Sequence, residues 1–348
     1  MNAYRGGENG TGNMTAGRVI CAGGCVVDRK LKLTGPAVVG TSNPARAVTS
    51  FGGVARNVAE NLARLGTPVE LVSRVGDDDS GRAVVAYLAQ LGVDISGVSV
   101  ALSGETAQYV AVLDSSGDLV LGAAAMDVLD GLAPADLDAT WPSSIEPNSW
   151  VFADCNLPID TLAHAVRRGR IEGTKLAVDA VSTPKVGRLP RDLTGVEVLF
   201  CNLDEAQALA IHHGWPLNGN ALDLVQLLHD QGAAHVVLSR GADGLVIADA
   251  DGIRMVPATA ASVFDVTGAG DSLIAGTLTL LAAGASLDDA VLAGTLVAAL
   301  TVESHYSVRP DLSADLVDAA ALHRLRRPGM IAASRATAED ALGTREFN

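Results

Sequence analysis

Short apolar runs alternate along the chain with longer stretches in which apolar residues recur every three to four positions. The runs are rich in Val, Ile and Leu and apolar throughout, which is typical of parallel strands covered on both faces. The predicted strands are 18–22, 70–75, 150–153, 175–179, 196–200, 235–238 and 244–248. The predicted helices are 55–65, 81–91, 159–168, 204–212, 222–230, 271–283 and 287–303. This alternation predicts an α/β fold with an open, doubly wound, mostly parallel sheet flanked by helices.

Two segments interrupt the alternation. Residues 31–50 contain Gly, Pro and Asn between short β-prone pieces, and residues 104–124 contain two β-prone runs around a turn at 114–118. We expect these segments to form a small β-sheet that projects from the main domain as a lid or a dimer surface. The expected main domain is 18–325, preceded by a disordered Gly- and Asn-rich segment at 1–17 and followed by an unassigned tail at 326–348.

Composition narrows the possible partners. The chain has 348 residues, of which 48% are apolar, and 40 acidic against 25 basic side chains give a net charge of −15. Its length and apolar content exclude a disordered chain, and its acidity argues against binding nucleic acid or an anionic membrane. No secretory leader or membrane span is evident, so we expect a cytoplasmic protein whose four scattered cysteines are buried thiols.

The most informative local feature is the segment Asp265-Val-Thr-Gly-Ala-Gly-Asp271, which runs into an apolar helix. Glycines at a helix start expose N–H groups that bind an anion. Asp271 either caps this helix or accepts the proton of a hydroxyl that attacks a phosphoryl group held by Gly268, Ala269 and Gly270. At a helix N-terminus we expect its carboxylate to be ionised at neutral pH. The segment matches neither a Walker loop nor a dinucleotide fingerprint.

A second glycine motif precedes a predicted helix near the N-terminal end of the chain. Gly52 and Gly53 allow a polyhydroxylated ligand to approach the backbone, and Asn57 has the amide groups to bind vicinal hydroxyls. The alternative is a tight turn before a helix, with Asn57 on its solvated face. In a doubly wound sheet, both glycine motifs can meet above the carboxyl ends of the strands.

Together the two motifs resemble the two signatures of the ribokinase (PfkB) family of carbohydrate and nucleoside kinases, and the resemblance extends from about residue 19 to residue 313. It implies a ribokinase-like fold, ATP and Mg²⁺ as cofactors, a small nucleoside or sugar as substrate, and a homodimer paired through its lids. The departure of segment 304–307 from the Lys/Gly-rich loop of many ribokinases leaves a requirement for K⁺ open.

Other positions agree with this family. Asp28 resembles its sugar-binding aspartate, although the residue alone is equally a turn residue. The remaining matches are the Asn-x-x-Glu pair that organises magnesium and phosphate (Asn202, Glu205), the loop under the nucleotide (Ser239, Gly241, Gly244) and the residues that hold a monovalent cation (Asp265, Thr267). By residue type alone, the first set is also a helix-start capping pair and the second a plain hairpin.

Within the family, the stretches 42–44, 52–57, 153–156 and 310–313 resemble the pseudouridine kinase branch most. The resemblance implies phosphorylation of the 5′-hydroxyl of pseudouridine, giving pseudouridine 5′-phosphate. Asn156 stands where ribokinases have a sugar-contacting acid, and Thr106 and Gln108 share the strand face expected to contact the base. The alternatives are a kinase for ribose, uridine, cytidine or adenosine, or a nucleoside-binding module without catalysis.

Overall fold

The computed structural model describes residues 17–141, 148–216 and 219–325. The predictions for segments 1–16 and 326–348 therefore lie outside the described residues. The strands are β1 Val19–Ala22, β2 Val26–Leu33, β3 Ala45–Gly52, β4 Val69–Gly76, β5 Val98–Ala101, β6 Gln108–Leu113, β7 Leu119–Ala125, β8 Trp150–Asp154, β9 Leu176–Asp179, β10 Val198–Asn202, β11 His235–Ser239, β12 Leu245–Asp249 and β13 Gly252–Val256. The helices are α1 Val54–Arg64, α2 Asp79–Gln90, α3 Pro134–Thr140, α4 Ile159–Glu172, α5 Leu203–His213, α6 Ala221–Asp230, α7 Ala269–Ala282, α8 Leu287–Val302 and α9 Ala314–Leu325.

The main sheet has the strand order β13-β12-β11-β10-β9-β8-β1-β4-β5. Every pair from β11 to β5 is parallel, and only β12 and β13 run antiparallel to their neighbours. The predicted doubly wound, mostly parallel sheet is therefore confirmed. The direction of β12 does not follow from its sequence, since all five of its residues are buried and an apolar run reads the same in either direction.

Polar residues end three neighbouring strands of this sheet at one edge, and a glycine pair follows the fourth. Gly23 and Gly24 follow β1, and β8, β9 and β10 end on Asp154, Asp179 and Asn202. In the strand register Asp154 lies opposite Asp179. The carboxyl edge of the parallel strands thus collects the side chains that line the site.

A second sheet, with the order β3-β2-β6-β7, is separate from the first. Strand β2 pairs antiparallel with β3 and parallel with β6, and a tight turn at 114–118 joins β6 to β7. This confirms the predicted small sheet, although β2 begins at Val26, earlier than the segment from which we expected it. The strand contains the charged residues Arg29, Lys30 and Lys32, so it lacks the continuous apolar run by which the other strands were predicted.

Helix α7 is buried along almost its whole length between the main sheet and its neighbours α1 and α8. Two side-chain hydrogen bonds join α1 and the loop after it to α7, from Asn61 to Ser272 at 3.3 Å and from Thr67 to Thr279 at 3.0 Å. The helices that follow the two glycine motifs are therefore packed side by side. Among the described helices, none has the length and apolar character that crossing a bilayer requires.

Candidate active site

The two glycine motifs meet at the N-termini of α1 and α7. The side-chain amide of Asn57 donates a hydrogen bond to Asp271, with 2.6 Å between Nδ2 and Oδ2, although the residues are 214 positions apart in the chain. Asn57 is 6% exposed and does not lie on a solvated face. A backbone cradle and a carboxylate thus share one crevice at the carboxyl edge of the sheet.

Helix α7 begins two residues earlier than predicted, and this changes the role of Asp271. Its N-cap is Gly268, whose φ of 80° lies in the left-handed region. A Cβ there would stand 1.9 Å from the carbonyl oxygen of Ser307. Asp271 is the third residue of the helix and makes no cap bond, so the capping alternative is wrong. Its carboxylate instead accepts the hydrogen bond from Asn57.

The first two backbone N–H groups of α7 differ in their surroundings. The N–H of Ala269 donates to the carbonyl of Val266 at 3.2 Å, whereas Gly270 is exposed and a Cβ built on it would meet nothing within 4 Å. First-turn amides lack acceptors within their own helix. The positive end of the α7 dipole and the open approach at Gly270 suit an anion at this point.

The expectation that Asp271 is ionised at neutral pH is wrong for this crevice. Burial above all, together with the negative charges of Asp154 and Asp28, raises its pKa to about 7. The hydrogen bond from Asn57 and the positive charge of Arg56 act in the opposite direction and do not compensate. At neutral pH the carboxyl group is therefore poised between its acid and base forms.

A buried carboxylate holds the start of α1 in place. Asp154 is fully buried, and its Oδ2 accepts hydrogen bonds from the backbone N–H groups of Gly24, at 3.0 Å, and Ala55, at 2.8 Å. Gly53 is the N-cap of α1 with a φ of 94°. Sequence analysis treated Asp154 only as part of a similar stretch, and its position as the last residue of an apolar strand was the signal for a larger role.

Asn156 lies beside this carboxylate and is 4% exposed. Its Oδ1 accepts a hydrogen bond from Lys185, and its backbone carbonyl accepts one from Arg188 at 2.7 Å. Burial lowers the pKa of Lys185, and the charge of Asp154 partly restores it. Sequence analysis missed Lys185, which lies in an irregular segment where periodicity carries no signal.

Asp28 reaches the site from the small sheet. Its side chain lies against Gly52, where an added Cβ would be 2.1 Å from Oδ2 of Asp28, so a side chain at Gly52 would displace that carboxylate. Burial raises the pKa of Asp28 despite the positive charges of Lys30 and Arg56. The negative charge of Asp28 raises the pKa of Asp271, so strand β2 brings an acid to the candidate active site.

The two lid residues expected to contact a base differ in their surroundings. Thr106 is buried, its hydroxyl donates to Asp78 at 2.7 Å and it accepts from the backbone N–H of Gly76 at 3.0 Å. Gln108 is partly exposed, and its amide lies 3.4 Å from Glu105. The hydroxyl of Thr106 is thus committed to the turn before α2, and the amide of Gln108 is the more accessible group.

A cavity of about 360 Å³ extends from Asp271 across the ends of β9, β10 and β11, and its polar lining comprises Asp179, Asn202, Glu205, Ser239, Gly268 and Gly270. Asn202 and Glu205 form a reciprocal capping box at the start of α5, with both bonds 2.9 Å long. Burial raises the pKa of Glu205, and the bonds from Asn202 lower it. The pair is therefore a helix cap that also lines the cavity.

Asp179 is an acidic residue of this cavity that sequence analysis did not single out. Burial raises its pKa well above the usual value, and the charges of Glu205, Asp271 and Asp154 add to that effect. The backbone N–H of Val181 donates to it at 3.0 Å. Its place at the end of a predicted strand could have revealed it, because neighbouring strands end in polar residues at the same edge.

The segment 239–244 is the hairpin turn between β11 and β12. Ser239 lies at the boundary between the first cavity and a second one of about 500 Å³, which Gly241 also lines. Gly244 closes the turn with a φ of 83° and packs against the carbonyl of Val256. The turn therefore forms one wall of an open groove beside Asn202.

Asp265 and Thr267 lie in the loop before α7. Oδ1 of Asp265 accepts hydrogen bonds from the backbone N–H of Thr267 at 2.9 Å and from its hydroxyl at 2.7 Å. Burial raises the pKa of Asp265, but these bonds outweigh it and the net pKa is lowered. The described residues contain no group of three or more His, Cys, Asp or Glu side chains arranged to hold a metal.

The geometry agrees with what comparison with known proteins finds. The model of the pfkB family of carbohydrate kinases matches residues 16–314, and the chain belongs to that family. It is 29% identical over 275 residues to the pseudouridine kinase of Escherichia coli (strain K12), covering 78% of this chain and 86% of that protein.

Solved structures give the same fold. A carbohydrate kinase from Agrobacterium tumefaciens superposes with a TM-score of 0.75 at 31% identity, covering 87% of this chain and 96% of that one. A ribokinase of Arabidopsis thaliana, solved with ribose and ATP, has a TM-score of 0.74 at 19% identity and covers 88% and 99% of the two chains. The fold is ribokinase-like, and the protein is an ATP-dependent phosphotransferase acting on a hydroxyl of a sugar or nucleoside.

Proposed function

We propose that the protein transfers the γ-phosphoryl group of ATP to the 5′-hydroxyl of pseudouridine, giving pseudouridine 5′-phosphate. The contact between Asn57 and Asp271 at the N-terminus of α7 carries the chemical part of this proposal. The similarity to the Escherichia coli pseudouridine kinase supports the choice of nucleoside.

In this mechanism the acceptor hydroxyl lies against Asp271, near Asp28 and Asn57. A bond forms between the hydroxyl oxygen and the γ-phosphorus as the bond from that phosphorus to the bridging oxygen of ADP breaks. The hydroxyl proton passes to Asp271. Because the transition state is loose, its charge lies on the equatorial oxygens, where the α7 dipole and the first-turn amides, including that of Gly270, stabilise it.

The acidic cavity suits a metal-bound nucleotide. Asp179, Asn202 and Glu205 line it with the oxygen ligands that Mg²⁺ prefers. Mg²⁺ bound there would neutralise charge on the nucleotide phosphates. Oδ2 of Asp265 and the backbone beside Thr267 would supply oxygens to K⁺, and the groove beside Ser239, Gly241 and Gly244 would receive the nucleotide.

The proposed base contacts come from both sheets. Lys185 engages Oδ1 of Asn156, which leaves the Nδ2 amine of that residue as a donor toward the ligand. Gln108 is the lid residue whose amide we assign to the base. We assign Thr106 to the wall of the site, because its hydroxyl is bound to Asp78.

A substrate panel tests this assignment. Pseudouridine, uridine, cytidine, adenosine and ribose are compared by kcat/KM with ATP and Mg²⁺, and the product is analysed by NMR for a 5′-phosphate. We expect pseudouridine to give the highest value. If uridine or ribose gave an equal or higher kcat/KM, the assignment of pseudouridine as the substrate would be wrong. Nucleoside binding without ATP turnover would overturn the kinase assignment in favour of a binding module.

We further propose that the protein acts as a cytoplasmic homodimer in which two small sheets meet. Strand β7 is an edge strand, and Leu119 and Leu121 on it are 58% and 60% exposed. An apolar edge of this kind is usually covered by a partner. Light scattering after gel filtration should give twice the monomer mass, and Leu121→Lys should give the monomer mass.

A further inference from the structure

A buried ionic network runs along helix α1 beneath the site. Arg56 and Glu60 are 3% and 1% exposed, and the guanidinium of Arg56 donates to Glu60. Glu60 also accepts hydrogen bonds from Nε of Arg64, at 2.9 Å, and from the hydroxyl of Tyr87, at 2.7 Å. Buried charges persist only when they are paired in this way.

Arg56 is also the neighbour that sets the direction of the Asn57 side chain. Its guanidinium donates to Oδ1 of Asn57 and, at 3.1 Å, to the carbonyl of Phe51. The oxygen of the amide is therefore fixed toward Arg56, and the nitrogen is left to donate to Asp271. A guanidinium has only donors, so it accepts no other orientation of the amide.

The positive charge of Arg56 also lowers the pKa of the Asp271 carboxyl group. Two carboxylates raise the pKa of Asp271 from separate strands, Asp28 on β2 and Asp154 on β8. Arg56 on α1 is the positive charge that opposes them there. It lowers the pKa of Asp28 as well.

We propose that Arg56 is a positioning residue for the phosphoryl transfer: held by Glu60, it orients the amide of Asn57 and thereby aims the carboxylate of Asp271 at the acceptor hydroxyl. The proposal rests on the role given to Asp271 in the proposed function. It assigns to Arg56 no contact with the substrate.

Helix α1 provides a matched control. Arg56 and Arg64 both pair with Glu60, but Arg64 instead reaches the carbonyl of Pro310 and contacts neither Asn57 nor Asp271. In Arg56→Met and in Arg64→Met, Glu60 keeps the other arginine and the hydroxyl of Tyr87. Arg56→Lys keeps the positive charge but loses the planar group that bridges Asn57 and Glu60.

We expect Arg56→Met to lower kcat on the order of 100-fold with little change in the KM for ATP, because Asp271 is misaimed. The acidic limb of its pH–rate profile should move to higher pH by about one unit, because a neighbouring positive charge is lost. Arg56→Lys should lower kcat while leaving that limb in place. Arg64→Met should change the melting temperature but neither kcat nor the position of the acidic limb.

A direct titration separates this proposal from the kinase assignment. The carboxyl carbon of Asp271 is followed by NMR against pH, with Asp271→Asn identifying its signal, and the measurement requires no turnover. A wild type inactive on the whole panel would overturn the proposed function, whereas the titration would still report on Arg56. The proposal is overturned if Arg56→Met leaves the titration unchanged or if Arg64→Met shifts it equally. If Arg56→Met does not fold, a wild-type kcat in Arg56→Lys overturns it.

Discussion

Asp154 and Asp179 lie directly opposite each other at the ends of two neighbouring parallel strands, β8 and β9. The first is bound by backbone amides, whereas the second lines the cavity and has a strongly raised pKa. One acid thus organises the backbone at the start of α1, and the other lines the cavity as a group whose protonated form is favoured.

Replacing the proposed base should abolish turnover without abolishing binding. Asp271→Ala removes the proton acceptor, and we expect kcat to fall by about 10²- to 10⁴-fold with a smaller change in nucleoside affinity. Steady-state kinetics and calorimetry measure the two quantities. Asp160→Asn, at an exposed first-turn acid of α4, is the control and should behave as wild type. A kcat of Asp271→Ala near the wild-type value would contradict the assignment.

Activity should rise with pH across neutrality. The carboxyl of Asp271 must be ionised to accept a proton, and burial raises its pKa to about 7. We therefore expect kcat/KM to increase as the pH is raised through about 7, since protonated Asp271 is inactive. A pH–rate profile at saturating ATP checks this. A profile flat from pH 5 to pH 8 would show that Asp271 is not the limiting base.

Two glycines of the α7 loop should respond oppositely to alanine. Gly268→Ala places a Cβ against the carbonyl of Ser307 at a φ of 80°, so we expect a loss of about 1–3 kcal/mol in the free energy of unfolding. Gly270→Ala meets nothing within 4 Å inside a helix, so stability should be unchanged or rise by up to about 1 kcal/mol. Thermal unfolding of both variants measures this, and equal losses would contradict the described turn.

Turnover should depend on a divalent ion that Glu205 helps to place. We expect EDTA to abolish activity and Glu205→Gln to raise the Mg²⁺ concentration needed for half-maximal rate. Glutamine can still accept the hydrogen bond from the N–H of Asn202, so the capping box and the melting temperature should be preserved. An unchanged Mg²⁺ dependence in a folded Glu205→Gln variant would remove this residue from the metal region.

The sequence predicts the strands of the parallel region better than those of the small sheet. Strands such as β8 are apolar up to their last residue because helices cover both faces, and this produces a strong signal. Strand β2 has four charged residues because five of its eight positions are at least partly exposed, so its apolar run is too short to be detected. The short strand β13 is missed for a similar reason, since four of its five residues are at least partly exposed.

At the site, the sequence predicts which residue types are present and fails on their environment. Asp271 and Asn57 can be chosen from their glycine motifs, because those motifs have a direct backbone reason. The raised pKa of Asp271 cannot be predicted, because it arises from burial and from the charges of Asp154 and Asp28, which are distant in the chain and approach only in the fold. Lys185 escapes for the same reason, since its bond to Asn156 joins two irregular segments.

Strand β2 follows β1 after a short connection that contains Gly23 and Gly24, so the chain passes directly from the main sheet into the small one. Asp28 belongs to the small sheet, and Asp271 belongs to the body of the protein. Any swing of the small sheet therefore changes the separation of these two acids. Withdrawal of the sheet would weaken their repulsion and favour the ionised form of Asp271, and closer approach would favour its protonated form.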